Sequence, residues 1–396
     1  MHRHDLCHAV REQLVRLPYP YANHYGVVPP PPPEHAIDVS LVAARYEAAT
    51  AAMAKVEALA AEIHDPYLIS RVLVRREAVA SSSIEGTNST LDELLSAEET
   101  EDGTPTAEAK QVRDYALALD TLMPEAQRRG PGIFDSELVC QLHQHVMRDA
   151  KDYPDTPGEL RQRVVWIGGG KDIAYSTYNP PPPAEVPACL AQTMEYMRAD
   201  GMQVMTQGLV TRMAVAHAHF EAVHPYRDGN GRVGRLLLPL MMAADDRVPL
   251  YLSPYIEAHK SAYYDALKAA QQRLEWPIIV GYIADAITGT VNELMSTRAA
   301  LRTLQEIWRQ RRSYRTGSAA LRALALLPHY PVMTTRRLSE LLDVSFKGAS
   351  QAMEQLAAAN VVTERTGYAR NRVFVAKEAL AIINRPFGAE PVLLEA

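Results

Sequence analysis

The chain has 396 residues, of which 47% are hydrophobic and 22% charged, and its formal net charge is -6. This length accommodates two or three domains with substantial cores, whereas the net acidity argues against a protein whose whole surface binds nucleic acid or membranes. Aromatic residues are sparse while Ala, Leu and Met are plentiful, so helix is favoured over sheet.

Cysteine content and the absence of targeting patterns bear on the compartment. Cys7, Cys140 and Cys189 are too far apart for a zinc or redox motif, and so few cysteines are typical of a reducing compartment. The N-terminal segment lacks the apolar core of a signal peptide, and no run of about 18 apolar residues predicts a membrane span. We therefore expect a mostly helical, cytoplasmic protein with no membrane partner.

The N-terminal region is predicted to begin with an extended segment. Five consecutive prolines, Pro29 to Pro33, form polyproline II and exclude helix. Two helices are then predicted, from about Leu41 to Ile63 and from Pro66 to about Glu85, where Gly86 supplies a stop signal.

The middle of the chain contains the one region where strands are predicted. An acidic loop, residues 99–106, is followed by a helical pattern through Lys110 to Leu122. Between Arg161 and Pro183 the periodicity changes, and two β-capable segments around Gly168 to Gly170 predict a hairpin. From Val210 to about Arg312, helices dominate again.

A charged loop, HPYRDGNGRVGR, interrupts these later helices at residues 224–235. Apolar residues at helical spacing bring His224 to the end of one helix, and Gly231 opens the next. A helix N-terminus has free N–H groups and a partial positive charge, so it attracts anions. Arg232 and Arg235 lie on one side of the new helix, where both can bind phosphate oxygens.

Two further side chains of the loop complete a candidate site. The Asp228 carboxylate is suited to hold Mg²⁺ on bound phosphates, and His224 can act as a general base near neutral pH. The residues therefore predict a nucleotide-phosphate site with a base at its edge. Two nearby histidines, His217 and His219, are two positions apart on a helix and cannot chelate one metal together, so we expect them in the core or on the surface.

The loop resembles the Fic motif HPFxDGNGRxxR, with eight identities in register and Tyr226 in place of phenylalanine. This resemblance implies a helical Fic domain that transfers AMP from ATP to a protein hydroxyl and releases pyrophosphate. It makes His224 the base and Asp228 the Mg²⁺ ligand, and it implies that Tyr226 anchors the loop in the core. The residues that would bind the nucleotide phosphates are Gly229, Asn230, Gly231, Arg232 and Arg235, the last reaching the γ-phosphate.

Other segments agree with the Fic resemblance. The hairpin at Val164 to Tyr178 stands where Fic proteins carry a flap that docks the target by strand addition. The run Leu250 to Leu267 resembles a helix that lines the adenine pocket, with His259 where asparagine is expected as the base contact. Ser81 and Glu85, in SSSIEG, match the family's inhibitory pattern. This implies that the Glu85 carboxylate pairs with Arg235 and withholds it from the γ-phosphate.

The C-terminal tail has a different charge. Residues 311–380 contain 11 Lys and Arg and 5 Asp and Glu, a net of +6 in an acidic chain. They resemble a winged helix-turn-helix with Ser345 to Ala358 as the recognition helix and a hairpin tip at Gly367. Basic residues that would contact DNA phosphates are Lys347, Arg365, Arg370 and Arg372. The alternative is a winged helix used for protein contact or dimerisation.

The sequence therefore predicts a mainly α protein in three parts. Residues 1–112 form a helical region with the inhibitory helix, residues 113–312 the Fic catalytic domain with its β-hairpin flap, and residues 313–396 the winged helix. The expected activity is protein adenylyltransfer, including possible self-modification, and a homodimer is possible. The alternatives are removal of AMP from targets, with Glu85 activating water, and a DNA-binding regulator whose Fic domain is a sensor. A phosphotransferase is disfavoured because that branch has lysine where Gly231 stands.

Overall fold

The computed structural model describes residues 1–62, 70–99, 106–150, 152–200, 206–365 and 372–393. The chain forms two compact units, each made of two stretches of sequence: residues 1–59 with 114–290, and residues 60–113 with 291–396. The predicted three-part division remains a prediction.

Most described residues up to Gln310 lie in helices, as the composition predicts. The helices are α1 (His8–Glu12), α2 (Ala43–Glu62), α3 (Ser70–Ile84), α4 (Leu91–Glu99), α5 (Ala107–Arg129), α6 (Ser136–Met147), α7 (Val186–Met197), α8 (Leu209–Val223), α9 (Asn230–Ala244), α10 (Ser253–Ala258), α11 (Lys260–Arg273) and α12 (Trp276–Gln310). Of these, α3 and α4 belong to the second unit, while α2, α5 and α12 contribute to both. Short 3₁₀ turns lie at Arg3–Asp5, Ser40–Val42, Gly130–Ile133, Ile173–Tyr175 and Pro183–Glu185.

The centre of the first unit is α8, which packs against α7, α9 and α11. Every residue from Val210 to Val223 is buried. The sequence predicted an apolar face on this helix, but all of its faces are buried, including the charged residues Arg212 and Glu221. Helix α9 is buried in the same way apart from Gly231, so the loop between α8 and α9 is held at both ends by core helices.

Two small strands of the first unit were not predicted. Strand β1 (Leu14–Arg16) pairs antiparallel with β2 (Tyr25–Val27), with Val15 opposite Gly26. The proline run that follows is not helical, as predicted, and the Gln207 side-chain amide donates to the carbonyls of Pro33 and His35 at 2.7 and 2.6 Å.

The predicted hairpin at 164–178 is largely irregular. A single antiparallel bridge joins Ile167 and Tyr178, and no longer strand is present among the described residues there. Gly168, Gly169 and Gly170 all have positive φ, which bends the chain instead of extending it. Asp172 then caps the 3₁₀ turn at Ile173–Tyr175 by accepting from the Ala174 N–H at 2.9 Å.

The second unit contains the remaining elements, α13 (Ala319–Leu326), β3 (Val332–Thr334), α14 (Thr335–Leu342), α15 (Phe346–Ala358), β4 (Thr363–Glu364), β5 (Val373–Val375) and α16 (Lys377–Ile383). The sheet order is β3-β5-β4, all antiparallel. The winged helix-turn-helix remains a prediction for these elements. Thr334 and Ser345 cap α14 and α15, and α15 begins within one residue of the predicted start of the recognition helix. The predicted wing tip, with Gly367 and Arg370, lies outside the described residues.

Helices α3 and α4 pack on this C-terminal sheet within the second unit. Val72 of α3 and Leu91 and Leu95 of α4 share one apolar cluster with Val332 and Val373 of the sheet. The predicted inhibitory helix and the C-terminal elements therefore have a common core.

One described helix, α12, is long and apolar enough by composition to cross a membrane. Slightly more than half of its most apolar window, 56%, is buried inside the protein. Buried side chains along α12, such as Ile283 and Trp308, are those of a core helix.

Candidate active site

Helix α8 ends at His224, which adopts a left-handed conformation with φ of 48°. A left-handed residue terminates a helix and turns the chain sharply. For a residue other than glycine this conformation is uncommon, and here contacts on the following backbone support it. The His224 N–H donates to the Phe220 carbonyl at 3.0 Å, so the imidazole is presented at the junction of helix and loop.

Arg161 binds the backbone on both sides of this junction. Its Nε donates to the His224 carbonyl at 2.8 Å, and a terminal nitrogen donates to Pro181 at 2.7 Å. The guanidinium is buried, and burial lowers its pKa to about 10, so it stays charged at neutral pH. The sequence analysis did not single out Arg161, because it is 63 residues from His224 and has no local motif.

The loop is closed from within by Asn230. Its Oδ1 accepts from the Tyr226 N–H and its Nδ2 donates to the Tyr226 carbonyl, both at 2.8 Å. The side chain is buried and both of its polar groups are used, so any contact of Asn230 with a phosphate falls to its backbone N–H. Gly229, with φ of 82°, needs the conformational freedom of glycine, and a Cβ there would lie 2.9 Å from the Met147 sulfur.

Tyr226 anchors the loop in the core, as predicted. It is fully buried, and its ring stacks on His143 of α6 with centroids 3.6 Å apart and 5° between the planes. His143 is itself buried. Its position beneath the loop was not anticipated.

His143 has a defined protonation pattern. Its Nδ1 accepts from the Gly158 N–H at 2.7 Å, so Nε2 carries the proton and donates to the Asp228 carbonyl at 3.1 Å. Burial lowers the pKa of His143 to about 4, and the ring is therefore neutral at physiological pH. His143 thus joins three segments, α6, the Gly158 turn and the charged loop.

The cationic side of the site is formed by the first two turns of α9. Arg232 and Arg235 are both buried, with 4% and 2% of their surface exposed. Arg232 lies 3.6 Å from the Asp228 carboxylate and donates to the Met147 sulfur at 3.2 Å. Buried guanidinium groups at a helix N-terminus form a strong anion site, because the helix dipole and both charges act in the same direction.

Asp228 is an exposed residue of the loop, with 62% of its side chain accessible. One carboxylate oxygen accepts from the Gly229 N–H at 2.6 Å, which orients the group. A single oriented carboxylate beside a phosphate site suits Mg²⁺, which binds to one or two carboxylates together with substrate phosphates and water. Among the described residues, no cluster of three His, Cys, Asp or Glu forms a metal site without substrate.

The remaining predicted residues lie on other elements. His259 links α10 and α11, is exposed, and stacks on Tyr255 at 4.1 Å. His217 and His219 are core residues, as expected: His217 bonds to the Tyr263 hydroxyl at 2.7 Å and His219 to the Thr193 hydroxyl at 2.8 Å.

The predicted inhibitory residues belong to the second unit. Ser81 is buried in the last turn of α3, while Glu85 is exposed and lies one residue beyond the helix end. Gly86 follows with φ of 85°, which confirms the predicted stop. The Thr87 N–H donates to the Ser82 carbonyl at 3.0 Å and closes the turn that presents Glu85.

Comparison with known proteins identifies related sequences. Residues 133–242 match the profile of the Fic/DOC family, and residues 43–121 match the Fic/DOC family N-terminal region. The protein adenylyltransferase Fic of Culex quinquefasciatus is 26% identical over 215 residues, 54% of this chain and 40% of that relative. A probable protein adenylyltransferase of Aquifex aeolicus is 24% identical over 203 residues, 50% of this chain and 56% of that relative. The match therefore spans only 40 to 56% of these relatives.

Solved structures resemble the fold over a longer stretch. A Fic family protein from Desulfovibrio desulfuricans G20 aligns with a TM-score of 0.54 at 19% identity, covering 88% of this chain and 98% of that one. Fic-1 from C. elegans aligns with a TM-score of 0.52 at 20% identity, covering 66% and 74%. These likenesses concern the fold, and they confirm the mainly helical Fic architecture.

Proposed function

Residues 133–242 of this chain are a Fic/DOC family domain, and from this premise we propose that the protein transfers AMP from ATP to a hydroxyl side chain of a protein. The observation that carries the proposal is the geometry of one loop. His224 ends a core helix at one side, and two buried arginines, Arg232 and Arg235, begin the next helix at the other. A base and a phosphate site are thereby held within twelve residues of sequence.

Each side chain has a distinct role in this reaction. His224 takes the proton of the target hydroxyl as its oxygen attacks the α-phosphate, and pyrophosphate leaves with the electrons of the broken P–O bond. Arg232, Arg235 and the first N–H groups of α9 stabilise the charge on the phosphates. When Mg²⁺ is bound, it neutralises phosphate charge, and Asp228 is the residue that would hold it.

The inhibitory role of Glu85 is part of the proposal. Its carboxylate would pair with Arg235 and deprive the γ-phosphate of its partner, so ATP would bind in an unproductive position. The local support is that Glu85 is exposed at a helix end, in a turn closed by Ser82 and Thr87. The buried Ser81 matches the other fixed position of the inhibitory pattern.

The experiment is labelling by ATP of wild type, Glu85→Gly and Glu85→Gln, followed by intact mass measurement. We expect both variants to label themselves or an added lysate at least about ten-fold more than wild type, since each removes the competing charge. Asn88→Gly is the matched control, because Asn88 is exposed in the same turn. Equal labelling of wild type and both Glu85 variants rules out inhibition by Glu85. No labelling by any of them rules out AMP transfer.

Removal of AMP from modified targets is the alternative within the same site, with Glu85 activating water. A single assay distinguishes removal of AMP from addition of AMP. If the protein is a hydrolase, pre-modified target will lose AMP with wild type and keep it with Glu85→Gln. If it is a transferase, Glu85→Gln will add AMP to unmodified target.

For the C-terminal elements we propose a winged helix that contacts protein rather than DNA. Two of the basic residues expected to bind phosphate are engaged within the second unit: Arg365 binds Asp92 at 2.7 Å, and Arg372 pairs with Glu364. The exposed face of α15 carries Phe346, which is 62% exposed. A gel shift with random duplex DNA at low salt tests this, and salt-sensitive binding would favour the regulator hypothesis.

We also propose a cytoplasmic location. Cys7, Cys140 and Cys189 are all free thiols, and burial raises the pKa of Cys189 to about 11, which makes that thiol inert. A homodimer remains a prediction from the family resemblance.

A further inference from the structure

The second unit contains a cavity of about 200 Å³ that the proposed reaction does not use. Its walls come from α3, the C-terminal half of α12, the segment after α13 and the end of α16. The apolar part of the lining includes Val72 and Leu73 of α3 and Leu294 and Leu301 of α12. A cavity of this size accommodates about one aromatic ring with a short chain, since roughly 150 Å³ suffices for benzene.

The charged residues that line the cavity are all arginines. Three arginines, Arg76, Arg298 and Arg302, border the cavity, and none of its lining residues is a carboxylate. Arg76 pairs with Glu293 at 3.0 Å, and Glu293 also pairs with Arg385 at 3.0 Å. This single carboxylate is thus shared between two cations.

Arg298 and Arg302 are the cations available to a ligand. Within the described part of the chain, neither lies within 4.0 Å of a carboxylate oxygen in any ion pair of the structure. They are one turn apart on α12, so both guanidinium groups face the same side of the helix. An apolar cavity with two such cations at its border matches a molecule with an apolar body and one anionic end.

We propose that this cavity binds a small apolar molecule carrying one anionic group, of the aryl-alkyl or medium-chain carboxylate or phosphate class. The apolar body lies against Leu73, Leu294 and Leu301, and the anion binds Arg298 and Arg302. Helix α3 also forms part of the wall, so the ligand contacts the helix that ends before Glu85. Any effect on inhibition rests on the proposed function, whereas the binding does not.

The test is isothermal calorimetry of the full chain without ATP, so its result is independent of AMP transfer. Phenylbutyrate, octanoate and phenylphosphate are titrated as anionic probes, and phenylbutanamide is the neutral counterpart of the first. We expect the best anion to bind at least about ten-fold more tightly than the amide, because a charge-assisted hydrogen bond is lost in the amide. The comparison of carboxylate with phosphate probes distinguishes the two classes of anion.

Substitutions in the lining test whether the probes bind in this cavity. Arg298→Gln and Arg302→Gln should each weaken anion binding by about ten-fold, while Arg309→Gln, exposed on the same helix and paired with Glu306, should leave it unchanged. Leu301→Trp fills the cavity and should abolish binding of every probe. If that variant unfolds, Leu73→Phe replaces it.

Three results overturn the proposal. The first is no binding of any anionic probe to the wild type. The second is equal affinity for phenylbutyrate and phenylbutanamide. The third is anion binding that survives both cavity-filling substitutions in folded protein.

Discussion

The charged loop of the first unit and helix α4 of the second unit are held by different kinds of polar contact. In the first unit, Arg161, His143 and Asn230 hydrogen-bond to backbone groups of the charged loop and its neighbours. In the second unit, carboxylates of α4 form ion pairs with arginines of other elements. Glu99 binds Arg71 and Arg337, and Asp92 binds Arg365.

This difference suits the proposed role of the loop. A hydrogen bond to a carbonyl or N–H has a preferred direction, so three such side chains determine the shape of a loop that we propose binds the substrate. An ion pair tolerates more geometries and joins elements that are far apart in sequence. Arg365 and Asp92, for example, are separated by 273 residues. Directional contacts thus shape the candidate site, and charge pairs join α4 to the C-terminal elements.

The largest expected effect concerns the base that the directional contacts position. His224→Ala should reduce AMP transfer by about 10² to 10⁴-fold, since it removes general-base catalysis but none of the contacts to the His224 backbone. Labelling by ATP in the Glu85→Gly background measures the loss. His8→Ala, at an exposed histidine, is the control. Retention of more than a tenth of the activity would mean that another group takes the proton.

The second expected effect tests the ion pairs. Glu99→Ala should destabilise the second unit by roughly 3 kcal/mol, because the side chain is 1% exposed and its arginine partners lose a buried counter-charge. Its carboxylate also accepts from the Thr334 N–H at 3.2 Å. Urea unfolding measures the change in free energy.

Glu340→Ala is the matched control for Glu99→Ala. Glu340 also pairs with Arg337, at 3.7 Å, but 53% of its side chain is exposed. Exposed pairs contribute about 0 to 1 kcal/mol, so this variant should be close to wild type. Equal losses in the two variants would show that burial of the carboxylate is not what makes the α4 contact strong.

The third expected effect is smaller and concerns a single directional side chain. His143→Phe keeps a ring against Tyr226 but leaves the Gly158 N–H and the Asp228 carbonyl without their present partner, at a cost of about 1–3 kcal/mol. We also expect AMP transfer to fall, because the Asp228 backbone is released. Thermal unfolding and labelling by ATP measure the two effects.

His145→Phe, two residues along α6 and only half-buried, is the control for His143→Phe. It should change stability by about 0.5 kcal/mol or less. If His143→Phe unfolds at the wild-type temperature and labels at the wild-type rate, the proposed joining role of His143 is wrong.

The sequence predicted more about the charged loop than about the side chains that hold the loop in place. The helix, loop and helix around residues 224–235 follow from local pattern, whereas the burial of Tyr226 was implied by the family resemblance. The side-chain role of Asn230 could not be read locally, since an amide in a glycine-rich loop serves a phosphate or the backbone equally well. His143 acts on Asp228 across 85 residues, and only the packing of α6 against α9 makes that contact.

The C-terminal helices and the segment 164–178 show where local sequence signals succeed and where they fail. The Ser345 cap is a local signal, so the start of α15 was predicted within one residue. At 164–178 the β-capable residues suggested a hairpin, but three successive glycines with positive φ leave only the Ile167–Tyr178 bridge. Strand propensity depends on a partner strand, and pattern alone does not supply one.

The last expected effect, which is absent at neutral pH, is a change in how stability depends on pH. Burial lowers the pKa of His143 and His219 to about 4 and of His217 to about 3, from an ordinary value of 6.5. The neutral forms are therefore favoured by folding. Their contribution is fully present above pH 6.5 and is lost as the pH falls from 6.5 towards 4, because unfolding then takes up protons.

Each of these three histidines should add roughly 1.4 kcal/mol per pH unit to the slope of unfolding free energy in that range. His143→Phe should therefore lower the slope by about the contribution of one histidine, roughly 1.4 kcal/mol per pH unit. His145→Phe should leave most of the slope unchanged. Hydrogen exchange of α6 and α8 peptides between pH 6.5 and 4.5, corrected for the intrinsic exchange rate, measures the first unit separately from α15. An unchanged slope in His143→Phe would mean that this ring is protonated in the folded protein, which is incompatible with Nδ1 accepting from Gly158.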